Sequence, residues 1–179
     1  MGMHFYVDES KAKGYLVAVA SGPRPRLALP RNELSALVLP RQRSLHMKDE
    51  GDSRRRQIAH AIVHLGELDG IHAVIYDAGR AGTERERRAR CLAALVDDAA
   101  RHPEASVIFD RDESLVSWDR PRMIELTRAA GARARISYDH LPRHAEMLLA
   151  IPDAIAWSWA RGGEWRERVR PVVLEVRAV

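Results

Sequence analysis

Two adjacent carboxylates, Asp8 and Glu9, follow directly on the short apolar run Phe5, Tyr6, Val7 within MHFYVDES. A second run of the same kind, ASVIFDRD from Ala105 to Asp112, delivers Asp110 and then Asp112. A third acid, Asp153, stands inside the apolar stretch LLAIPDAIAWSWA from Leu148 to Ala160. Hard divalent cations take several carboxylate oxygens converging on one point, and acids at the ends of neighbouring elements can supply them. Aspartates without a cysteine cluster favour magnesium or manganese over structural zinc. If the first run is a strand, Asp8 shares a face with Tyr6 and His4, and Glu9 shares the other with Val7 and Phe5. Only one of the pair then faces a given site. By the same alternation Asp110 and Asp112 share a face and Arg111 points away. Each acid also has a plain explanation, a polar strand end meeting water or, for Asp153, an acid favoured by the dipole of a helix start. The setting of Asp153 between Ile151 and Ile155 is what that explanation leaves over.

Further candidates are weaker. SLHMKDE, Ser44 to Glu50, reads as an extended segment with His46 and Lys48 on one face. Arg54, Arg55 and Arg56 open a helix, where cations oppose the dipole, so helix stability does not explain them. Phosphate binding would; a solvated patch is the plainer reading. His60 and His64 lie four apart, a spacing that can hold zinc, yet without an adjacent Glu or matching third ligand they read as exposed helix histidines. The single Cys91 forms no internal disulfide and falls on a helical pattern as a half-buried thiol.

The elements that must position these residues alternate in type. Strands are expected at Met3 to Ser10 and Gly14 to Ser21, joined by Lys11 to Lys13, a gap short enough to require an antiparallel hairpin. Between Gly22 and Pro40, rich in proline, Arg26 to Leu29 reads as a strand and Arg31 to Val38 as a short helix. A helix follows from about Ser53 to Leu65, with Ile58, Ile62 and Leu65 on one stripe. Ile71 to Tyr76 is the next strand, and the capping box Thr83-x-x-Glu86 opens a helix to Arg101. There Glu84 with Arg88 and Glu86 with Arg90 suggest an exposed, salt-bridged face. After the Ala105 strand, a helix is expected from Arg120 to Ala130, capped by Asp119, with Pro121 in its first turn. Arg133 to Tyr138 is a strand, Leu148 to Ala160 a buried helix ended by Gly162 and Gly163, and Pro171 to Val176 a last strand. Trp157 and Trp159 point different ways on that helix, at least one into the core.

The 179 residues, 46% hydrophobic and 30% charged, fit one compact domain over 1–179 with a sizeable core. No apolar run approaches the roughly 18 residues of a membrane span, and Met1 to Ser10 lacks a signal-peptide layout, so a cytoplasmic protein is expected. Net charge is +4, carried by 29 basic residues of which only Lys11, Lys13 and Lys48 are lysine. Guanidinium groups suit phosphate recognition, although codon bias produces the same excess.

With these motifs in hand, the chain resembles the widespread bacterial domain-of-unknown-function family 3800, regarded as a relative of the RNase H-like fold. The resemblance rests on YVDES (Tyr6 to Ser10), LHMKDE (Leu45 to Glu50), VIFDRD (Val107 to Asp112) and LLAIPDAIAW (Leu148 to Trp157), in series over nearly the whole chain. Members carry a Gly soon after DES, where Lys11 stands here; the late motif has Gln and Ala where this chain has Ala150 and Pro152. The resemblance implies an α/β fold, an RNase H-like mixed β-sheet with antiparallel leading strands and later parallel strands, flanked by helices. It also implies a magnesium- or manganese-dependent nuclease site on Asp8, Asp110 and Asp153, with Glu9, His46 and Lys48 as accessory residues and nucleic acid as partner. For a fourth acid, Glu9 ranks before Asp112 and Glu50. A catalytically silent module that binds nucleic acid or protein on the same fold stands beside this reading, because fold does not fix function. A zinc hydrolase built on His60 and His64 is a distant third.

Overall fold

Apolar runs too short for helices pair into one six-stranded sheet in the computed structural model, which describes residues 2–179. The strands are β1 (Met3–Ser10), β2 (Leu16–Pro23), β3 (His72–Asp77), β4 (Ala105–Asp110), β5 (Ile136–Leu141) and β6 (Val173–Ala178). Their order across the sheet is β5-β4-β1-β2-β3-β6. The expected hairpin forms, β1 lying antiparallel to β2 with Val7 opposite Val19, and β2 lies antiparallel to β3. β4 joins the other edge of β1 in parallel, β5 is parallel to β4, and β6 is parallel to β3. The leading strands are therefore antiparallel and the later ones parallel, as the resemblance implies.

Alternation along the strands divides the core in two. On one face Tyr6, Ala18, Ile75 and Ile108 pack under α1 (Ala28–Ala36), α2 (Asp52–Asp69), α5 (Ala150–Arg161) and α6 (Glu164–Val169). On the other, Phe5, Val7, Val17 and Phe109 pack under α3 (Glu84–Ala99) and α4 (Glu113–Ala129). Asp8 thus belongs to the α5 face and Glu9 to the α3 and α4 face. No helix among the described residues is long and apolar enough to cross a membrane.

Several local expectations are corrected. Arg26 to Leu29 is not a strand: Arg24–Arg26 forms a 3-10 turn with proline near its start, α1 follows at once, and Leu27 and Leu34 are buried beneath it. Ser44 to Glu50 is not extended throughout, because Met47–Asp49 closes a 3-10 turn whose first amide is held by Asp153. That turn separates His46 from Lys48. α4 begins at Glu113, capped by Asp112, whose side chain accepts from the Ser114 amide; Asp119 is fully buried inside the helix and Pro121 lies beyond its first turn. β5 runs three residues later than expected, and α6 has no counterpart among the expected elements. Arg88, placed by its spacing on an exposed face, is 2% exposed, and Glu84 pairs with Lys11 instead. Cys91 is fully rather than half buried.

Candidate metal centre

Three elements bring Asp8, Asp110 and Asp153 together. The β1–β4 register that pairs Val7 with Phe109 sets the strand ends bearing Asp8 and Asp110 side by side. α5 crosses that edge with Asp153 in its first turn, where the missing N–H of Pro152 costs no helical hydrogen bond. Pro152 therefore leaves Asp153 free to meet the other two acids around a common partner. Asp8 and Asp153 are both buried.

What the three acids meet is Arg143, which no sequence motif singles out. Its Nη2 donates to Asp8 Oδ2 at 2.9 Å, its Nε to Asp110 Oδ2 at 2.7 Å, and its Nη1 lies 3.1 Å from Asp153 Oδ1. The segment carrying Arg143 is fixed at both ends. Leu141 is paired in β5 with Asp110, and Glu146 accepts two hydrogen bonds from Arg31 on α1, at 3.0 and 2.9 Å. Two of the three remaining oxygens are used by the backbone: Asp8 Oδ1 accepts from the Glu9 amide and Asp153 Oδ2 from the Met47 amide, both at 2.8 Å.

This crowding shows in the acids' proton affinity. Burial pushes Asp8 well above the usual carboxylate range, Arg143 opposes the rise, and Asp153, Asp110 and Glu9 add to it. Asp110 is raised to about 7, by burial first and then by the charges of Asp153 and Glu9. Asp153 is raised to about 6 by burial, against the pull of Arg143 and the Met47 amide.

The accessory candidates divide. His46 joins the cluster's rim, with Nε2 3.4 Å from Asp153 Oδ1 and Nδ1 3.0 Å from Asp49 Oδ2. Lys48 is exposed and makes no ion pair among the described residues, while its carbonyl accepts from Arg55 Nη2. Glu9 is turned to the opposite face, as strand alternation requires, and accepts from Arg88 Nη1 at 2.8 Å. The other two acids ranked as a possible fourth are engaged elsewhere: Asp112 caps α4, and Glu50 accepts from Gln42. His60 and His64 are exposed on α2.

Behind Glu9 lies a buried network that spacing alone does not announce. Arg88 forks onto Asp119, with Nε and Nη2 donating at 2.7 and 2.6 Å, and its Nη1 also donates to the Tyr15 hydroxyl at 3.0 Å. His140 Nε2 lies 2.8 Å from Asp119 Oδ2, and its ring stacks on Phe109. Burial alone would raise Asp119; hydrogen bonds from Arg88 and His140 override it and hold the carboxyl below its usual range. The network ties β1, β4 and β5 to α3 and α4 just behind the residues that bear Asp8, Asp110 and Arg143.

The donor set at the centre is wholly carboxylate oxygen, which suits a hard divalent cation. Its common point is held here by a guanidinium, and among the described residues no three His, Cys, Asp or Glu side chains form a ready metal-holding group. Chemically the arrangement can hold one positive centre against three acids at one end of a sheet, in a largely buried place.

No family model matches the chain, and no curated protein matches it. Among solved structures it is similar to a chain of the PCNA:RNase HII complex from Archaeoglobus fulgidus, with a TM-score of 0.52 and 15% sequence identity over 95% of this chain and 72% of that one. At that identity the likeness speaks for architecture alone, and with the strand order above it shows that the chain has an RNase H-like fold.

Proposed function

We propose that the chain hydrolyses phosphodiester bonds of nucleic acid with magnesium or manganese held by Asp8, Asp110 and Asp153. The observation that carries this is the convergence of three carboxylates, from β1, β4 and α5, on a single positive charge. The solved structure of similar fold includes a ribonuclease, RNase HII, and the four motifs resembling family 3800 support the same reading. A bound divalent cation supplies activation of water and stabilisation of the leaving oxygen. The chain's own groups do the rest. The buried acids hold the charge in a fixed place, the Met47 amide orients Asp153, and His46 moves a proton at Nε2.

Labelled single-stranded DNA, duplex DNA, RNA and RNA–DNA hybrid, incubated with manganese and the parent or Asp110→Asn, test the proposal. Cleavage by the parent that the variant lacks is the expected result and names the substrate class. Equal cleavage by both, or none by either, removes the carboxylates as the agent.

One observation favours a second reading. Arg143 already partners all three acids, so the cluster stands as a structural ion cluster, which is what a binding module that cuts nothing would contain. In that case Asp110→Asn leaves nucleic-acid binding intact and manganese has no effect.

A further inference from the structure

The two elements that carry Asp8 and Asp153 continue into a groove that the catalytic proposal leaves unused. Ser10 follows Asp8 on the same face of β1, about 7 Å along the strand. Trp157 follows Asp153 by one turn of α5, about 6 Å along the helix. Both line a hollow of about 400 Å³ together with Ala12, Lys13, Ala160 and Arg161. A second hollow, of about 350 Å³, shares Ser10, Lys13 and Ala160 with the first and extends it past Tyr15 and Trp159 to Arg166. The hairpin forms one wall and α5 with α6 the other, bridged where Lys13 Nζ donates to the Arg161 carbonyl at 3.3 Å.

The lining has the character of a polyanion site. Lys13, Arg161 and Arg166 are exposed, and Asp77 is the one acid among the residues lining the two hollows. Two indole rings stand beside the cations, Trp159 buried and Trp157 half-buried with Trp165 edge-on to it. Arg55 lies over Trp157 at 4.6 Å, while its Nε and Nη2 hold the carbonyls of Met47 and Lys48 in the turn that grips Asp153. Arg166 lies over Trp159 at 5.0 Å. Cations that take phosphates beside aromatic surfaces that take bases are the recurring means of holding a single strand. Stacking on an aromatic ring needs unpaired bases, which a single strand presents and a duplex keeps within its own stack.

We infer that the groove between the β1–β2 hairpin and the C-terminal half of α5 holds one single strand of nucleic acid leading to or from the carboxylates. Lys13 and Arg161 bind its phosphates, and the open part of Trp157 meets a base. This rests on the nuclease reading for what happens at the carboxylates, but its own evidence is binding.

The experiment measures anisotropy of short labelled single strands and of their duplex on the full chain, in chelator so that nothing is cut, across a salt series. The parent is expected to bind the strand more tightly than the duplex. Lys13→Met with Arg161→Met, two exposed positions that keep their apolar stems, is expected to weaken strand binding about tenfold. The salt slope is expected to fall by about 0.7 for each phosphate that the variant no longer neutralises. Trp157→Phe is expected to remove part of the tryptophan quenching that the strand causes. An unchanged affinity and slope in the double variant, a duplex bound as tightly as the strand, or no binding by the parent overturns the inference. Asp110→Asn separates it from the nuclease reading: manganese-dependent cutting by that variant equal to the parent's removes the reading, while the binding data still decide the groove.

Discussion

Arg143 Nε donates to Asp110 Oδ2 at 2.7 Å, and the same guanidinium reaches Asp8 and Asp153, so one arginine is the countercharge of the whole cluster. Were all three carboxylates ionised, one guanidinium would leave two negative charges uncompensated in a largely buried place, and the acids hold protons more tightly as a result. The arginine and a divalent cation compete for the same oxygens.

Removing the competitor should therefore help the metal. In Arg143→Gln the manganese concentration that half-maximally raises the melting temperature is expected to fall about tenfold, the equivalent of about 1.4 kcal/mol. Without metal the variant should melt below the parent, its acids having lost their partner. Thermal melts over a manganese series measure both, and a half-maximal concentration equal to or above the parent's would contradict the competition.

The raised acids set a pH dependence of stability. Asp110 titrates at about 7 and Asp153 at about 6 in the folded chain, against about 4 when unfolded. Between these values the folded state holds more protons than the unfolded one, so the contribution of these two acids to stability is full below about pH 4 and is lost as pH rises toward 7. Asp110→Asn removes one such group and should gain on the parent as pH rises from 5 to 8. Manganese needs ionised carboxylates, so its apparent affinity should rise over the same range. Melting temperatures across pH decide the first point; a parent-to-variant difference that stays constant refutes it.

The network behind Glu9 is a matter of stability. Arg88 and Asp119 are 2% and 0% exposed, and breaking such a pair leaves a buried charge without its partner. Arg88→Met should cost about 3–5 kcal/mol by urea unfolding. A loss under about 1 kcal/mol would mean that the network does not hold the strand ends together.

The strand ends were legible because each is a short β-branched or aromatic run cut off by an acid, a pattern that needs no tertiary knowledge. Asp8 and Asp110 come together at the places that pattern assigns, and Asp153 joins them from the first turn of α5. Arg143 was not legible: it sits in the polar segment PRHAE, whose lack of periodicity says nothing about direction. Arg88 and Asp119 did leave a signal. Arg88 precedes Cys91, Leu92 and Leu95 on the apolar stripe of α3, and Asp119 lies between Leu115 and Met123 on that of α4. Two opposite charges on two apolar stripes require each other. The spacing of Glu84 and Arg88 concealed this, because the same interval serves an exposed ion pair. The turn at Met47 was hidden for another reason, since its geometry depends on an acid 106 residues away.

The most direct measurement is a calorimetric titration of manganese into the parent and into Asp8→Asn, Asp110→Asn and Asp153→Asn, each first shown to be folded. The account predicts binding by the parent and a loss of about tenfold or more in every variant. A parent that takes up no manganese, or variants that bind it as tightly as the parent does, would contradict the claim that these three acids form one metal centre.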